Sequence, residues 1–353
     1  MARTRRVRIV CISDTHNQTP KLPPGDIFIH AGDLTKQGSP EELQRAFHWL
    51  DGQDFRCKII VAGNHDLGLD RQFQDQGRSQ TAEQVQANID LFQSSPSMHY
   101  LEHEAKCIIL PNHDGTETRL KVFGSPYSPK HGKWAFGYIR SAELELWQAI
   151  PLDSDIVITH TPARYHVDES IRDGPGGCEN LRQDLWRVRP KLFVCGHIHE
   201  ASGVELVEWD LGTANVTFKE KHSQQIEDQA PGTNKQFVVK LSADAKSPLQ
   251  NDGSLGDLAL TAARPGKWAV EIKDKGDQRH DLDLNLYTGC GGSVADPRTD
   301  RAALAGRRGR CQTCVVNASY KKTDWPYKES QGKFVNKPVV VELDLPIGHA
   351  DDT

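Results

Sequence analysis

Asp14 and His16 stand one residue apart in CISDTHNQ, and His197 and His199 repeat that spacing in CGHIHE. In extended backbone, alternate side chains point the same way, so each pair can aim two metal ligands at one place. Asp33 follows DIFIHAG, Asn64, His65 and Asp66 follow KIIVAG, and His160 closes DIVITH. Carboxylates, imidazoles and an amide oxygen together suit Mn, Fe, Zn or similar divalent ions. One D-x-H or one strand-end histidine carries little weight, because short motifs recur by chance. Five such motifs in order, each after an apolar run, point to a single shared metal site.

Ligands this far apart need a scaffold that gathers them. VRIVCIS, DIFIHAG, KIIVAGNH, DIVITH and KLFVCGH are short runs rich in Val and Ile, closed by polar residues, and read as buried strands. Between them, SPEELQRAFHWL offers Ser39 as N-cap, Pro40 at the first helical position and Glu42 to complete a capping box. Its Leu43, Ala46, Phe47 and Leu50 form one apolar stripe. TAEQVQANIDLF repeats the design with Thr81, Gln84, Val85, Ile89 and Phe92, and GCENLRQDLWRV places Leu181, Leu185 and Val188 on one face. Strands alternating with helices predict an α/β sheet, whose functional groups collect beyond the carboxyl ends of the strands. The glycines before Asp33, Asn64 and His197 are expected to permit a sharp exit from each strand.

Residues 220–310 break this rhythm with stretches rich in Gly, Ser, Asp and Arg, although FVVKL, WAVEI and LDLNLY could form strands. The pattern resumes at CVVNAS and closes with KPVVVELDL. One domain over 1–353 is expected, with a core of 7–219 and 311–346 and a partly disordered or cap-like insertion at 220–310.

Lys and Arg number 43 against 48 for Asp and Glu, a net charge of −5, which argues against a nucleic-acid-coating surface. No apolar run reaches membrane-spanning length, and the start of the chain lacks the apolar core of a signal peptide. The eight cysteines are scattered, several within strand-like runs, as buried reduced thiols of a cytoplasmic protein would be.

The order D-x-H, G-D, G-N-H-D, H, G-H-x-H resembles the calcineurin-like metallophosphoesterase superfamily, from Val7 to about Gly203 and again at CVVNAS. More narrowly, SDTHN, AGDLTKQG, AGNHD, GSPYSP, ITHTP, GHIHE and VVNAS resemble its metallophosphoesterase domain-containing branch of metal-dependent phosphodiesterases. That resemblance implies a four-layer α/β/β/α sandwich of the metallo-dependent phosphatase type. It implies one metal on Asp14, His16 and His199, a second on Asn64, His160 and His197, and Asp33 bridging both. Some members replace the last histidine of G-H-x-H; this chain keeps His199. Two divalent ions would clamp phosphate oxygens and lower the pKa of a water between them, which then attacks phosphorus. His65 would serve as acid or electrostatic partner at the leaving oxygen, and Asp33 and His65 are the catalytic pair.

Protein phosphatases of the superfamily show G-D-x-x-D-R-G, whereas this chain has GDLTKQG, with Lys36 and Gln37 in the Asp and Arg places. That departure disfavours a protein phosphatase. Asn64, His65, Tyr127, Trp134 and Asn317 are the expected substrate contacts, the aromatics as surfaces for stacking. Asp66 either orients His65, caps a helix or lies at the surface; His113 reads as a turn residue. Cys311 and Cys314 have metal-pair spacing, but a complete zinc site needs four ligands and only Cys290 is near in sequence. The expected function is a phosphodiesterase acting on a small-molecule phosphoester, cyclic nucleotides among the candidates. The alternatives are a phosphomonoesterase or a nucleotide-binding scaffold with little turnover.

Overall fold

The computed structural model describes residues 3–75, 77–78, 80–139, 146–171, 173–211, 218–233, 235–254, 303–304, 307–322 and 335–349. The expected strands WAVEI and LDLNLY, and Cys290, lie outside them. Among the described residues the central sheet has 13 strands. In chain order they are β1 (Thr4–Ile12), β2 (Ile27–Ala31), β3 (Cys57–Val61), β4 (Met98–Tyr100), β5 (Glu104–Pro111), β6 (Thr116–Ser125) and β7 (Ile156–Thr159). There follow β8 (Leu192–Cys195), β9 (Gly203–Trp209), β10 (Glu220–Ile226), β11 (Phe237–Lys240), β12 (Gln312–Asn317) and β13 (Val339–His349). Across the sheet the order is β10-β9-β12-β8-β7-β6-β13-β1-β2-β3-β4, with β5 on β6 and β11 on β13.

Two parallel groups, β1 to β4 and β6-β7-β8-β12, make the two halves. β13 joins them: its first part runs antiparallel to β1, with Val7 opposite Leu343, and its end pairs with β6, with Ile347 opposite Thr118. The halves then pack face to face. Ile9, Ile29 and Ile59 from one meet Val122, Ile158, Val194 and Val316 from the other in one buried core. Strand alternation sends Val10, Ile12, Phe28 and Ile60 to the opposite face, where helices α1 (Pro40–Asp51) and α2 (Ala82–Gln93) cover them. On the far side, helix α3 (Glu179–Val188) covers Phe123, Val157, Phe193 and Val315. Helix, sheet, sheet, helix are the four expected layers.

The helices start where their caps predict. Glu42 N–H donates to the Ser39 hydroxyl at 3.2 Å while Ser39 N–H donates to the Glu42 carboxylate at 3.2 Å, and Thr81 and Gln84 repeat the box. Leu43, Ala46, Phe47 and Leu50 are all buried.

Phe237–Lys240 is the strand expected of FVVKL, and β10 pairs along β9, so the insertion boundary set at 220 falls inside the sheet. Asn251 bridges Arg310, which brings the two sides of 255–302 together. β10 is anchored by Glu220, which accepts from Arg182 on α3 at 2.8 and 2.7 Å and contacts His166 at 3.0 Å. The other His166 nitrogen lies 3.1 Å from Glu205 on β9.

Burial alone would lower the His166 imidazole, yet its hydrogen bonds to Glu205 and Glu220, and their charges, push it up from 6.5 to about 9. Glu220 moves the other way: burial raises it, but bonds to His166 and Arg182 bring it from 4.5 to about 2. The stability from His166 is thus complete below 6.5 and lost as pH rises through about 9; that from Glu220 is complete above 4.5 and lost as pH falls through about 2. Between pH 6.5 and 9.5 the wild type should lose roughly 2–3 kcal/mol more than His166→Phe, measured by chemical denaturation of both across that range. A constant difference between the two would refute the charged triad.

Candidate metal centre

The five ligand-bearing segments leave the carboxyl ends of β1, β2, β3, β7 and β8, and the two sheet halves bring those ends together. One ligand atom each from Asp14, His16, Asp33 and His199 lies within 4.8 Å of the others. His16 Nδ1–H donates to the Thr35 carbonyl at 3.1 Å, which leaves the Nε2 lone pair for the centre. That Nε2 is 3.3 Å from His199 Nε2, and His199 Nε2 is 3.1 Å from Asp14 Oδ1. Burial pushes His16 down to about 3. His199, which burial would also lower, is instead raised by the Asp14 charge and hydrogen bond. Asp14 is held well below the carboxylate range: burial opposes this, but His199, His160 and His16 outweigh it.

A second group of candidate ligands faces the other oxygen of Asp33. His160 is fully buried, and its Nδ1–H donates to the Ala31 carbonyl at 2.9 Å. Its Nε2 then lies 3.0 Å from Asn64 Oδ1 and 3.4 Å from Asp33 Oδ1. Asp33 Oδ2 is 3.6 Å from His16 Nε2. The His197 ring packs edge-on against His160 with centroids 4.9 Å apart, and burial holds it at about 3. Imidazoles, two of them (His16 and His160) with tautomers fixed by backbone carbonyls, together with carboxylates and an amide oxygen crowded into one largely buried space, fit divalent cations.

The backbone at these strand ends is strained. Asp14, His16, Asp33 and His197 have φ of 53°, 43°, 55° and 69°, left-handed values that cost each non-glycine residue about 1–3 kcal/mol. Two of the three glycines do a different job from the sharp exit expected of them. Gly32 has a left-handed φ of 101°, but Gly63 and Gly196 do not; they are required for close approach. A Cβ at Gly63 would overlap Asp33, and one at Gly196 would overlap Ser13 Oγ and Asp14 Oδ2. Gly196→Ala should therefore weaken metal binding by about tenfold or more through displaced Asp14, and lower stability by about 1–3 kcal/mol. Metal titration followed by thermal unfolding checks both.

Two buried residues build the site without facing it. Asp66 accepts from Gly63 N–H at 2.8 Å, Leu34 N–H at 3.2 Å, Thr35 N–H at 2.9 Å and the Thr35 hydroxyl at 2.7 Å. It clamps the loop of Asp33 to the loop of Asn64, and so neither orients the His65 ring, caps a helix by its side chain nor lies at the surface. Asn317 is fully buried, donating to the carbonyls of Val167 at 3.0 Å and Ile198 at 2.9 Å, while its oxygen accepts from Ser319 N–H. With its amide spent on backbone, Asn317 holds the loop between His197 and His199 and does not turn a free polar group toward the centre. Ser319, the last residue of VVNAS and given no role from the sequence, lies with its hydroxyl 2.9 Å from Asp14 Oδ2.

His65 stands at the rim. Its backbone N–H donates to Asp33 Oδ1 at 2.8 Å, and its ring Nδ1–H donates to the Lys36 carbonyl at 2.9 Å. Its ring lies edge-on to His16 at 4.7 Å and stacks on Trp134 at 4.0 Å. Trp134 and the half-buried Tyr127 line a groove of about 880 Å³ beside it. His113 lies in the exposed turn between β5 and β6. Cys314 is buried in the core and Cys311 sits at the strand entry; the described cysteines are all free.

Comparison with known proteins agrees with this geometry. Over 207 residues the chain is 46% identical to "Probable rhamnogalacturonate lyase C" of Emericella nidulans, a match covering 58% of this chain and 18% of that one. It is 35% identical over 218 residues to a UPF0046 protein of Caenorhabditis elegans, covering 61% of this chain and 69% of that one. It is 36% identical over 208 residues to human metallophosphoesterase domain-containing protein 1, covering 56% and 62%. The match thus spans less than a fifth of the first relative and about two thirds of the other two. The family model for calcineurin-like phosphoesterases matches residues 7–201, which hold every ligand named above, and the chain belongs to the calcineurin-like phosphoesterase family.

Proposed function

We propose that this protein is a phosphodiesterase that hydrolyses a small phosphodiester with two divalent ions, Mn, Fe or Zn. The observation that carries the dinuclear reading is Asp33, whose Oδ2 faces His16 at 3.6 Å while its Oδ1 faces His160 at 3.4 Å. Asp14, His16 and His199 would hold one ion, Asn64, His160 and His197 the other, with Asp33 shared. Bound there, divalent ions supply Lewis acidity to the phosphoryl oxygens and lower the pKa of water.

The chain's own residues do the rest. Hydrogen bonds to Ala31 and Thr35 fix the tautomers of His160 and His16, so no proton blocks the ligand nitrogens. With Nδ1 committed to the Lys36 carbonyl, His65 has only Nε2 to offer a leaving oxygen, as a general acid does. The diester preference rests on the same loop: where protein phosphatases place a carboxylate and an arginine, this chain has Lys36 and Gln37, and a backbone carbonyl orients His65.

The deciding experiment is a panel of cyclic nucleotides, acyclic diesters and monoesters, run with Mn, Fe and Zn on one preparation. Diesters should turn over faster than monoesters. Faster monoesters would make the protein a phosphomonoesterase. Close to two metals per chain without hydrolysis of any phosphoester would end the enzymatic reading and leave a binding protein.

A further inference from the structure

His65 is tied to the centre by its backbone, but its imidazole sits half-buried at the rim with one side-chain hydrogen bond, to the Lys36 carbonyl. One bond at Nδ1 leaves the ring free to pivot about it. The indole of Trp134 removes that freedom, lying against the imidazole face at 4.0 Å and 31°. The indole is itself held. Arg78 lies over it at 5.4 Å, donates to the Lys133 carbonyl at 2.8 Å and pairs with Asp75. Asp75 also pairs with Lys133 at 3.1 Å. On the inner side, Ala135 N–H donates to the Asn64 carbonyl at 3.1 Å and Phe136 N–H donates to Asp70 at 2.7 Å. The Trp134 loop is thus bolted to the loop that presents Asn64 and His65.

We propose that Trp134 is a positioning residue for His65, a backing plate that holds the imidazole with Nε2 aimed at the leaving oxygen, and not chiefly a surface on which substrate stacks. The inference rests on the reading of His65 as leaving-group partner. A ring held only by the Lys36 carbonyl would spend part of its time turned out of line, and misplacement of about 1 Å can cost 10²-fold. The groove beyond Trp134 then meets the indole edge and Tyr127, while the indole face belongs to His65.

The test uses two diesters that share a methyl group and differ in leaving group, methyl p-nitrophenyl phosphate and methyl phenyl phosphate. p-Nitrophenolate departs with little help from an acid; phenolate needs more. Trp134→Ala should lose about tenfold in kcat on the phenyl ester and less than about threefold on the nitrophenyl ester, with unchanged metal content. Trp134→Phe, which keeps an aromatic plate, should recover most of the loss. The double variant with His65→Ala should fall no further than His65→Ala alone, since both changes act through one group. Equal losses on both esters, or losses that multiply in the double variant, would overturn the proposal.

If His65→Ala shows no dependence on leaving group, the acid reading of His65 fails, and positioning is decided by NMR on metal-free protein. The His65 ring protons, assigned against His65→Ala, should be shifted upfield by the indole in wild type and return toward ordinary values in Trp134→Ala. No movement would overturn the positioning role.

Discussion

Asp33→Asn should lose metal and hydrolysis together, with at least about 10³-fold less turnover, because the carboxylate proposed to be shared by both ion positions disappears. The amide oxygen of the variant can keep the hydrogen bond from His65 N–H, now 2.8 Å to Oδ1. Its NH2 group then replaces Oδ2, 3.6 Å from His16 Nε2, and presents a donor where a cation needs an acceptor. The same change should stabilise the metal-free protein. Burial raises Asp33 well above the carboxylate range, the charges of Asp14 and Asp66 add to this, and the opposing pull of His65 does not cancel it. An acid raised in the folded state contributes stability below its ordinary 3.8 and loses it as pH rises through the folded value, a loss that the uncharged amide of the variant does not suffer. Thermal unfolding checks the pair of effects. Without metal the variant should melt higher than wild type, and Mn at about a hundredfold over Kd should raise the wild-type Tm by about 5 °C but not the variant's. A variant that still binds two ions, or keeps turnover within tenfold of wild type, would remove Asp33 from the bridge.

The candidate ligands are legible because strand ends in parallel sheets are marked twice, by a β-branched apolar run and by the polar residue that closes it. The helices were legible from their capping boxes. β10 was not: EKHSQQI pairs at the sheet edge with most of its residues exposed, so no apolar alternation announces it, and its anchor is one carboxylate reaching Arg182 and His166. Asp66 was equally hidden. It stands beside His65 in sequence, but its partners Leu34 and Thr35 are more than 30 residues away, and only the fold makes a buried clamp of it. Asn317 shows the limit of motif matching: VVNAS marked the neighbourhood correctly, but whether its amide faces the site or the backbone is decided by the carbonyls of Val167 and Ile198. The glycines follow the same logic, since a spacing shows that a side chain is absent and not what stands in its place. For Gly63 the occupant is Asp33, and for Gly196 the occupants are Ser13 and Asp14.

His65→Ala should separate chemistry from metal binding, lowering turnover of a poor-leaving-group diester by about 10²–10⁴-fold while leaving metal content at the wild-type level. The metal half of this follows from where His65 is tied. The N–H that donates to Asp33 belongs to the backbone and survives the substitution, and the ring makes its own bond to the Lys36 carbonyl. The catalytic half follows from what that partner is. A carbonyl orients the ring without adding the negative charge that a carboxylate in the Lys36 place would supply, which leaves proton donation from a held position as the role proposed for His65. The loss should accordingly grow with the basicity of the leaving oxygen and shrink toward zero for p-nitrophenolate. Asp33→Asn, which removes metal, should instead depress good and poor leaving groups alike, so the two variants trace different slopes against leaving-group pKa. Full turnover by His65→Ala with an alkyl leaving group would show that the proton comes from elsewhere.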